Sequence, residues 1–221
     1  MTGIDFSAVF DMDGVIVDNR AFHFRAWETF AGRHGLAFDA DFFRDHLFGR
    51  VNREILSGLF KMDLDEGEAG PYAREKEALY RELYKGRVEP ARGLVRFLEA
   101  LKAEGVTTAV ATAAPRVNLD FVLDEAGLGP FFDVLVDIGS VSRGKPAPDL
   151  YLKAADGLRR KPGDCVAFED SYPGVGSALA AGMRVVAVTT THTASELAHA
   201  HLAIRDFEGM TPARIADLFG G

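Results

Sequence analysis

The feature that most constrains this chain is a series of short, unbroken apolar runs, each ending on a polar residue. The runs are SAVFD (7–11), TTAVAT (107–112), DVLVD (133–137), CVAFED (165–170) and RVVAVT (184–189), with a weaker sixth, HLAIRD (201–206). A strand wetted on one face alternates apolar and polar residues. A run without alternation suits a strand buried on both faces, as in a parallel sheet covered by helices. Helical patterns lie between the runs: GLVRFLEALKAEG (93–105), VNLDFVLDEAGLG (117–129), DLYLKAADGL (149–158) and GVGSALAAGM (174–183). Gly105, Gly127 and Gly182 stand where those helices should end. The alternation predicts an α/β fold with a doubly wound parallel sheet.

Residues 19–88 break the pattern. RAFHFRAWETFAGRHG (20–35) puts Phe22, Ala26, Trp27 and Phe30 on one helical stripe. DADFFRDHLFG (39–49), NREILSGLFKM (52–62) and AREKEALYRELYKGR (73–87) read as further helices. The expected organisation is an α/β core formed by 1–17 and 89–221 with a helical insert over 18–88. Its hinges fall near 15–20 and in KGRVEPARG (85–93), where Gly and Pro interrupt the helical pattern. A chain of 221 residues has room for such a core and insert.

The formal charge of −8 argues against nonspecific attraction to nucleic acid or an anionic membrane. It leaves open an anionic small-molecule substrate, which needs only a local positive site. Cys165 is the single cysteine, so no internal disulfide is expected, which fits a reducing cytoplasm. No signal-peptide pattern opens the chain and no run of about eighteen apolar residues occurs, so the expectation is a cytoplasmic protein without a membrane span. No feature sets an oligomeric state, and a monomer is compatible with all of them.

In open α/β sheets, ligands bind beyond the carboxyl ends of the strands. The residues that end the runs are therefore the informative ones. The first ends at Asp11 and leads to Asp13; the second ends at Thr112. The third leads through Asp137 to Lys145, and the fourth ends at Glu169 and Asp170. Convergence would gather at least three carboxylates, a hydroxyl and an ammonium at one edge. Clustered carboxylates repel and resist burial, and Mg²⁺, which prefers oxygen ligands, relieves both problems. The set suits phosphoryl transfer: one aspartate as nucleophile, another carboxyl as acid and base, and Lys and Thr donors for the phosphoryl oxygens.

These stretches, DMDGV (11–15), VAT ending at Thr112, Lys145 in GKPAPD (144–149) and FEDSYPGV (168–175), occur in that order with the helical insert between the first two. Together they resemble the four motifs of the haloacid dehalogenase superfamily, in its α-helical-cap branch and β-phosphoglucomutase-like subgroup. The resemblance implies a Rossmann-like core with an inserted α-helical cap, and it implies roles residue by residue. Asp11 would be the nucleophile that forms an aspartyl-phosphate and would also ligate Mg²⁺. Asp13 would be the general acid and base, ligating through its backbone carbonyl. Thr112 would bind the phosphoryl group and Lys145 would offset its charge. Asp170 would be a metal ligand, with Glu169 a ligand directly or through water. Aspartate at position 11 favours phosphate chemistry over dehalogenation.

Substrate contacts are assigned to the insert and to the stretch after Thr112. His23, in FHFRAW, resembles a histidine that aids catalysis at the start of the cap in β-phosphoglucomutases, although a packed or capping histidine fits the same place. Arg50, Arg53, Ala113 and Arg116 complete the candidates. His34, His46, His192, His199 and His201 show no metal-ligand spacing and are read as surface or core residues. A mutase would carry a cap lysine where Phe48 stands, and a Ser-Lys pair where Ala114 and Pro115 stand. The favoured expectation is thus a phosphatase acting on a small phosphorylated metabolite, a sugar phosphate by preference. A β-phosphoglucomutase-type sugar phosphomutase ranks second. A phospho-acceptor signalling domain ranks last, since such domains lack the insert and order their acids differently.

Overall fold

A computed structural model of the chain describes residues 5–38 and 52–220. Six parallel strands form one sheet: β1 (Ser7–Phe10), β2 (Thr108–Ala111), β3 (Val134–Val136), β4 (Cys165–Glu169), β5 (Arg184–Val188) and β6 (Leu202–Ile204). Their order is β3-β2-β1-β4-β5-β6, so β1 lies inside the sheet and the winding reverses there. All six strands coincide with the apolar runs.

Successive side chains of a strand point to opposite faces, and each face of this sheet has its own cover. Phe10 pairs with Phe168 in register, and the two rings stack at 4.6 Å. Phe97 and Phe207 join them, their rings 5.7 Å apart. On the other face, Val9, Ala109, Ala111 and Ala167 pack against Leu150, Tyr151 and Ala154, and against Val175 and Ala178. Those residues belong to α6 (Asp149–Gly157) and α7 (Tyr172–Ala180). Burial on both faces explains why the runs do not alternate. Each large side chain so buried contributes about 1.5–3 kcal/mol.

Three more helices belong to this unit: α4 (Leu94–Ala103), α5 (Arg116–Ala126) and the short α8 (Pro212–Ala216). The chain forms two compact units, Met1–Asp18 with Glu89–Gly221, and Asn19–Val88. Among the described residues, no helix is long and apolar enough to cross a membrane.

The second unit contains α1 (Arg20–Arg33), α2 (Asn52–Phe60) and α3 (Glu66–Tyr84). Helices α1 and α2 both pack on α3, burying Trp27, Phe30, Leu56, Leu59, Leu79 and Tyr80. The helix expected over 39–49 lies outside the described residues, as do Phe48 and Arg50. Helix α3 begins at Glu66, seven residues before the expected start. Asp65 and Glu68 form a reciprocal capping box at its start, and Pro71 lies inside the helix. The interior of this unit is partly polar. Lys76 is buried, with its Nζ 2.8 Å from Glu77 Oε1, 2.9 Å from His23 Nδ1 and 5.0 Å from the centre of the Trp27 ring. Asn52 also donates to Glu77 Oε1, at 2.8 Å. Burial works to raise the Glu77 carboxyl, but Lys76, His23 and these donors outweigh it and hold the pKa at about 2.

Candidate active site

Three parts of the α/β unit meet at the carboxyl end of β1 and β4. Asp11 follows the last residue of β1, and its backbone N–H donates to Phe168 O at 3.0 Å. Glu169 is the last residue of β4 and Asp170 follows it. Asp11, Glu169 and Asp170 are all buried, and a carboxylate oxygen from each lies within 4.8 Å of the others. Lys145 stands among them, its Nζ 2.8 Å from Asp11 Oδ1 and 2.5 Å from Glu169 Oε1.

Three buried carboxylates face one ammonium, and the proton affinities of Asp11 and Asp170 reflect it. Burial pushes the Asp11 carboxyl well up, with Glu169, Asp170 and Asp13 adding to the rise and Lys145 opposing it. Asp170 is raised to about 7, by burial first and the Glu169 charge second, against the Thr191 hydrogen bond and Lys145. Burial would lower Lys145, but the charges of Asp11 and Glu169 overcome it and keep the ammonium protonated. The cluster still lacks positive charge. Three hard oxygen donors close together and short of counter-charge are the donor set that a divalent cation such as Mg²⁺ satisfies.

Glu169 is the most constrained of the three. Its Oε1 accepts from Lys145 and from Tyr151 Oη at 2.6 Å; its Oε2 accepts from the Asp170 N–H at 3.1 Å and Ser171 Oγ at 3.3 Å. The fixed carboxylate acts first as a seat for Lys145, since any cation at Glu169 shares it with these four donors. Two glycines make room for the acids. A Cβ on Gly14, which has φ +81°, would lie 1.9 Å from Asp170 Oδ2. A Cβ on Gly174 would lie 2.0 Å from Glu169 Oε2. Ser171, rather than either acid, caps α7 by accepting from the Gly174 N–H at 3.2 Å.

The remaining sequence candidates are placed as follows. Asp13 is half-buried in the turn after β1, where the Gly14 N–H donates to Val17 O at 2.8 Å. Its charge reaches both Asp11 and Asp170, while its carboxylate is outside the three-acid group. Thr112 follows β2 and is buried; its Oγ1 accepts from the Ala114 N–H at 3.0 Å. Ala113 is exposed beside it. The Arg116 Nε donates to Asp120 Oδ1 at 2.7 Å. His23 and Arg53 belong to the helical unit. The His23 ring stacks on Tyr80 at 4.1 Å. Arg53 is 3.3 Å from Glu66 Oε1 and donates to Leu64 O at 3.2 Å.

Three residues that sequence reasoning passed over touch the acids. Tyr151 holds Glu169, Thr191 donates to Asp170 Oδ2, and His192 Nδ1 is 3.0 Å from Asp170 O. His192 is half-buried and outside the three-acid group. The only signal for Tyr151 was its place six residues beyond Lys145, at the start of a helix.

The model of haloacid dehalogenase-like hydrolases matches residues 7–182. The fructose-1-phosphate phosphatase YqaB of Escherichia coli is 32% identical over 180 residues, covering 81% of this chain and 94% of that protein. β-Phosphoglucomutase of Bacillus subtilis is 30% identical over 192 residues, 82% of each. A chloroplastic 5-amino-6-(5-phospho-D-ribitylamino)uracil phosphatase of Arabidopsis thaliana is 27% identical over 205 residues, 92% of this chain, and the chain spans 55% of its length. A solved structure, a HAD hydrolase of family IA, variant 3, from Entamoeba histolytica, aligns with a TM-score of 0.91 at 29% identity, covering 98% of this chain and 100% of that one.

Proposed function

Because the chain belongs to the haloacid dehalogenase-like hydrolase family, we propose that it is a Mg²⁺-dependent phosphatase of a small phosphorylated metabolite, by preference a sugar phosphate. The observation that carries this reading is Lys145 clamped between Asp11 and Glu169 inside a buried group of three acids. Asp11, Asp170 and Glu169, with the backbone carbonyl of Asp13, would hold the cation. Bound there, Mg²⁺ would offset the repulsion among the acids and draw charge from the phosphoryl oxygens.

The chain's own residues supply the rest. Asp11 attacks phosphorus and becomes an aspartyl-phosphate as the bond to the leaving oxygen breaks. Asp13 donates a proton to that oxygen, then takes one from the water that attacks phosphorus, releasing phosphate and restoring Asp11. Lys145 stays charged and steadies Asp11 and the transferring group. The Thr112 oxygen already accepts from Ala114 N–H, which orients its own proton for a phosphoryl oxygen. The helical unit would act as a cap that supplies substrate contacts, with His23, Arg50 and Arg53 as candidates and Arg116 from the core. A substrate phosphate would compete with Glu66 for Arg53 and with Asp120 for Arg116.

Ala114 and Pro115, in place of a serine and lysine, favour hydrolysis over mutase chemistry. The likeness to a β-phosphoglucomutase, close to that of the fructose-1-phosphate phosphatase, makes the mutase the competing outcome. The test is a panel of phosphorylated metabolites with Mg²⁺, following both free phosphate and isomerised sugar phosphate. Phosphate release is expected; glucose 6-phosphate formed from β-glucose 1-phosphate without release would establish the mutase instead. Asp11→Asn should abolish turnover, and residual activity above about 1% would refute a covalent route, since loss of a nucleophile normally costs several powers of ten.

A further inference from the structure

Asp170 is gripped from a part of the chain that none of the four motifs includes. The loop after β5, residues 189–197, runs beside β4 because the two strands pair in register, Glu169 opposite Ala187. Its start is tied to β6 by the Thr189 N–H on Ile204 O at 2.8 Å. Its far end is closed by a reciprocal cap, with the Thr193 N–H on Glu196 Oε2 at 2.8 Å and the Glu196 N–H on Thr193 Oγ1 at 3.3 Å. Leu197 then buries completely in the core. Between these anchors the loop presents two adjacent residues to one target. Thr191 donates its hydroxyl proton to Asp170 Oδ2. A carbonyl oxygen only accepts, so His192 donates Nδ1–H to Asp170 O. The edge of Tyr172 supports the His192 ring, with centroids 4.8 Å apart and planes at 77°. One side of the Asp170 carboxylate thus meets Thr191, and Gly14 leaves no Cβ on the same oxygen.

We propose that Thr191 is the positioning residue for Asp170, setting the affinity of the acidic site for a divalent cation without touching the cation or the substrate. The proposal rests on the metal-site reading above. The hydroxyl selects one orientation of a carboxylate that would otherwise swing away from Asp11 and Glu169. The anchored loop makes that orientation part of the fold instead of a cost incurred when the cation binds. Groups that orient a metal ligand in this way typically change metal affinity by roughly 10- to 100-fold when removed.

The experiment measures cation binding directly: Mg²⁺ titration by calorimetry and Mn²⁺ binding by electron paramagnetic resonance. The proteins are wild type, Thr191→Val, Thr191→Ser and Asp170→Asn, with thermal unfolding recorded for each. Thr191→Val keeps the side-chain shape and should raise the Kd by roughly 10- to 100-fold. Thr191→Ser, which keeps the hydroxyl, should restore it. At saturating Mg²⁺, turnover of Thr191→Val should recover far more than its affinity does. A Thr191→Val protein that binds as tightly as wild type overturns the assignment, and so does a Thr191→Ser protein that binds as weakly as Thr191→Val. If wild type binds neither ion, the metal-site reading falls and the assignment falls with it. If wild type binds, Asp170→Asn does not and Thr191→Val is normal, only the Thr191 assignment is lost.

Discussion

Replacing Asp170 by asparagine should stabilise the metal-free protein at alkaline pH while removing one of the proposed cation ligands. The Asp170 carboxyl moves from an ordinary 3.8 to about 7 in the folded chain, chiefly through burial and the neighbouring Glu169. Between those values the folded state holds a proton that the unfolded state gives up. Stability therefore falls as pH rises through the window, and the loss is complete above about 7. Three pH units of separation correspond to about 4 kcal/mol. For a domain of this size that is roughly 10 °C in Tm. Asparagine has no charge to bury and can still accept from Thr191. Calorimetric unfolding in EDTA at pH 5 and pH 8 tests this. Asp170→Asn should unfold roughly 4 °C above wild type at pH 5, where about a third of the window has been crossed, and roughly 10 °C above it at pH 8. Mg²⁺ added at pH 8 should close the gap by raising wild type alone. A gap between the two proteins that does not change with pH would refute the reasoning.

Two further substitutions probe the seat of Lys145. Gly174→Ala would set a methyl group 2.0 Å from a carboxylate fixed by four donors; a loss of about 1–3 kcal/mol in urea denaturation, together with lost turnover, is expected, and wild-type behaviour would show that Glu169 can move. Tyr151→Phe deletes one donor to Glu169 without opening a cavity. It should cost about 1–2 kcal/mol by the same assay, and a neutral result would mean that Lys145 alone satisfies Oε1.

The fold was legible because burial on both faces of a sheet leaves a direct mark on composition: five unbroken runs and a weaker sixth, at the sheet edge, became six parallel strands. The acids were legible because they end those runs, where a sheet of this winding opens to a ligand. Helix α8 escaped because its five residues are too few for a periodic signal, and its cap, Thr211, is one of many threonines. The start of α3 escaped because Gly67, Gly70 and Pro71 read as breakers, while the Asp65 and Glu68 cap that starts the helix ahead of them is a reciprocal contact. Thr191 and His192 sit in a run, TTTHT, where nothing local separates a residue that grips Asp170 from a neighbour that faces solvent. Their importance comes from the pairing of β5 with β4, a property of the sheet and not of the loop.

The central place of β1 has a consequence for how the chain is made. Ala8 pairs with Thr108 on one side and Val166 on the other, so β1 receives its second flank roughly 160 residues later in synthesis. At typical synthesis rates that is a wait of roughly 8–30 s with an apolar strand unpaired on at least one edge. The helical segment 19–88 is contiguous and emerges well before either partner. Charges beside an apolar strand discourage pairing with other chains. Asp11 and Asp13 therefore stand where gatekeepers of that nascent edge would be placed, apart from the catalytic roles proposed for them.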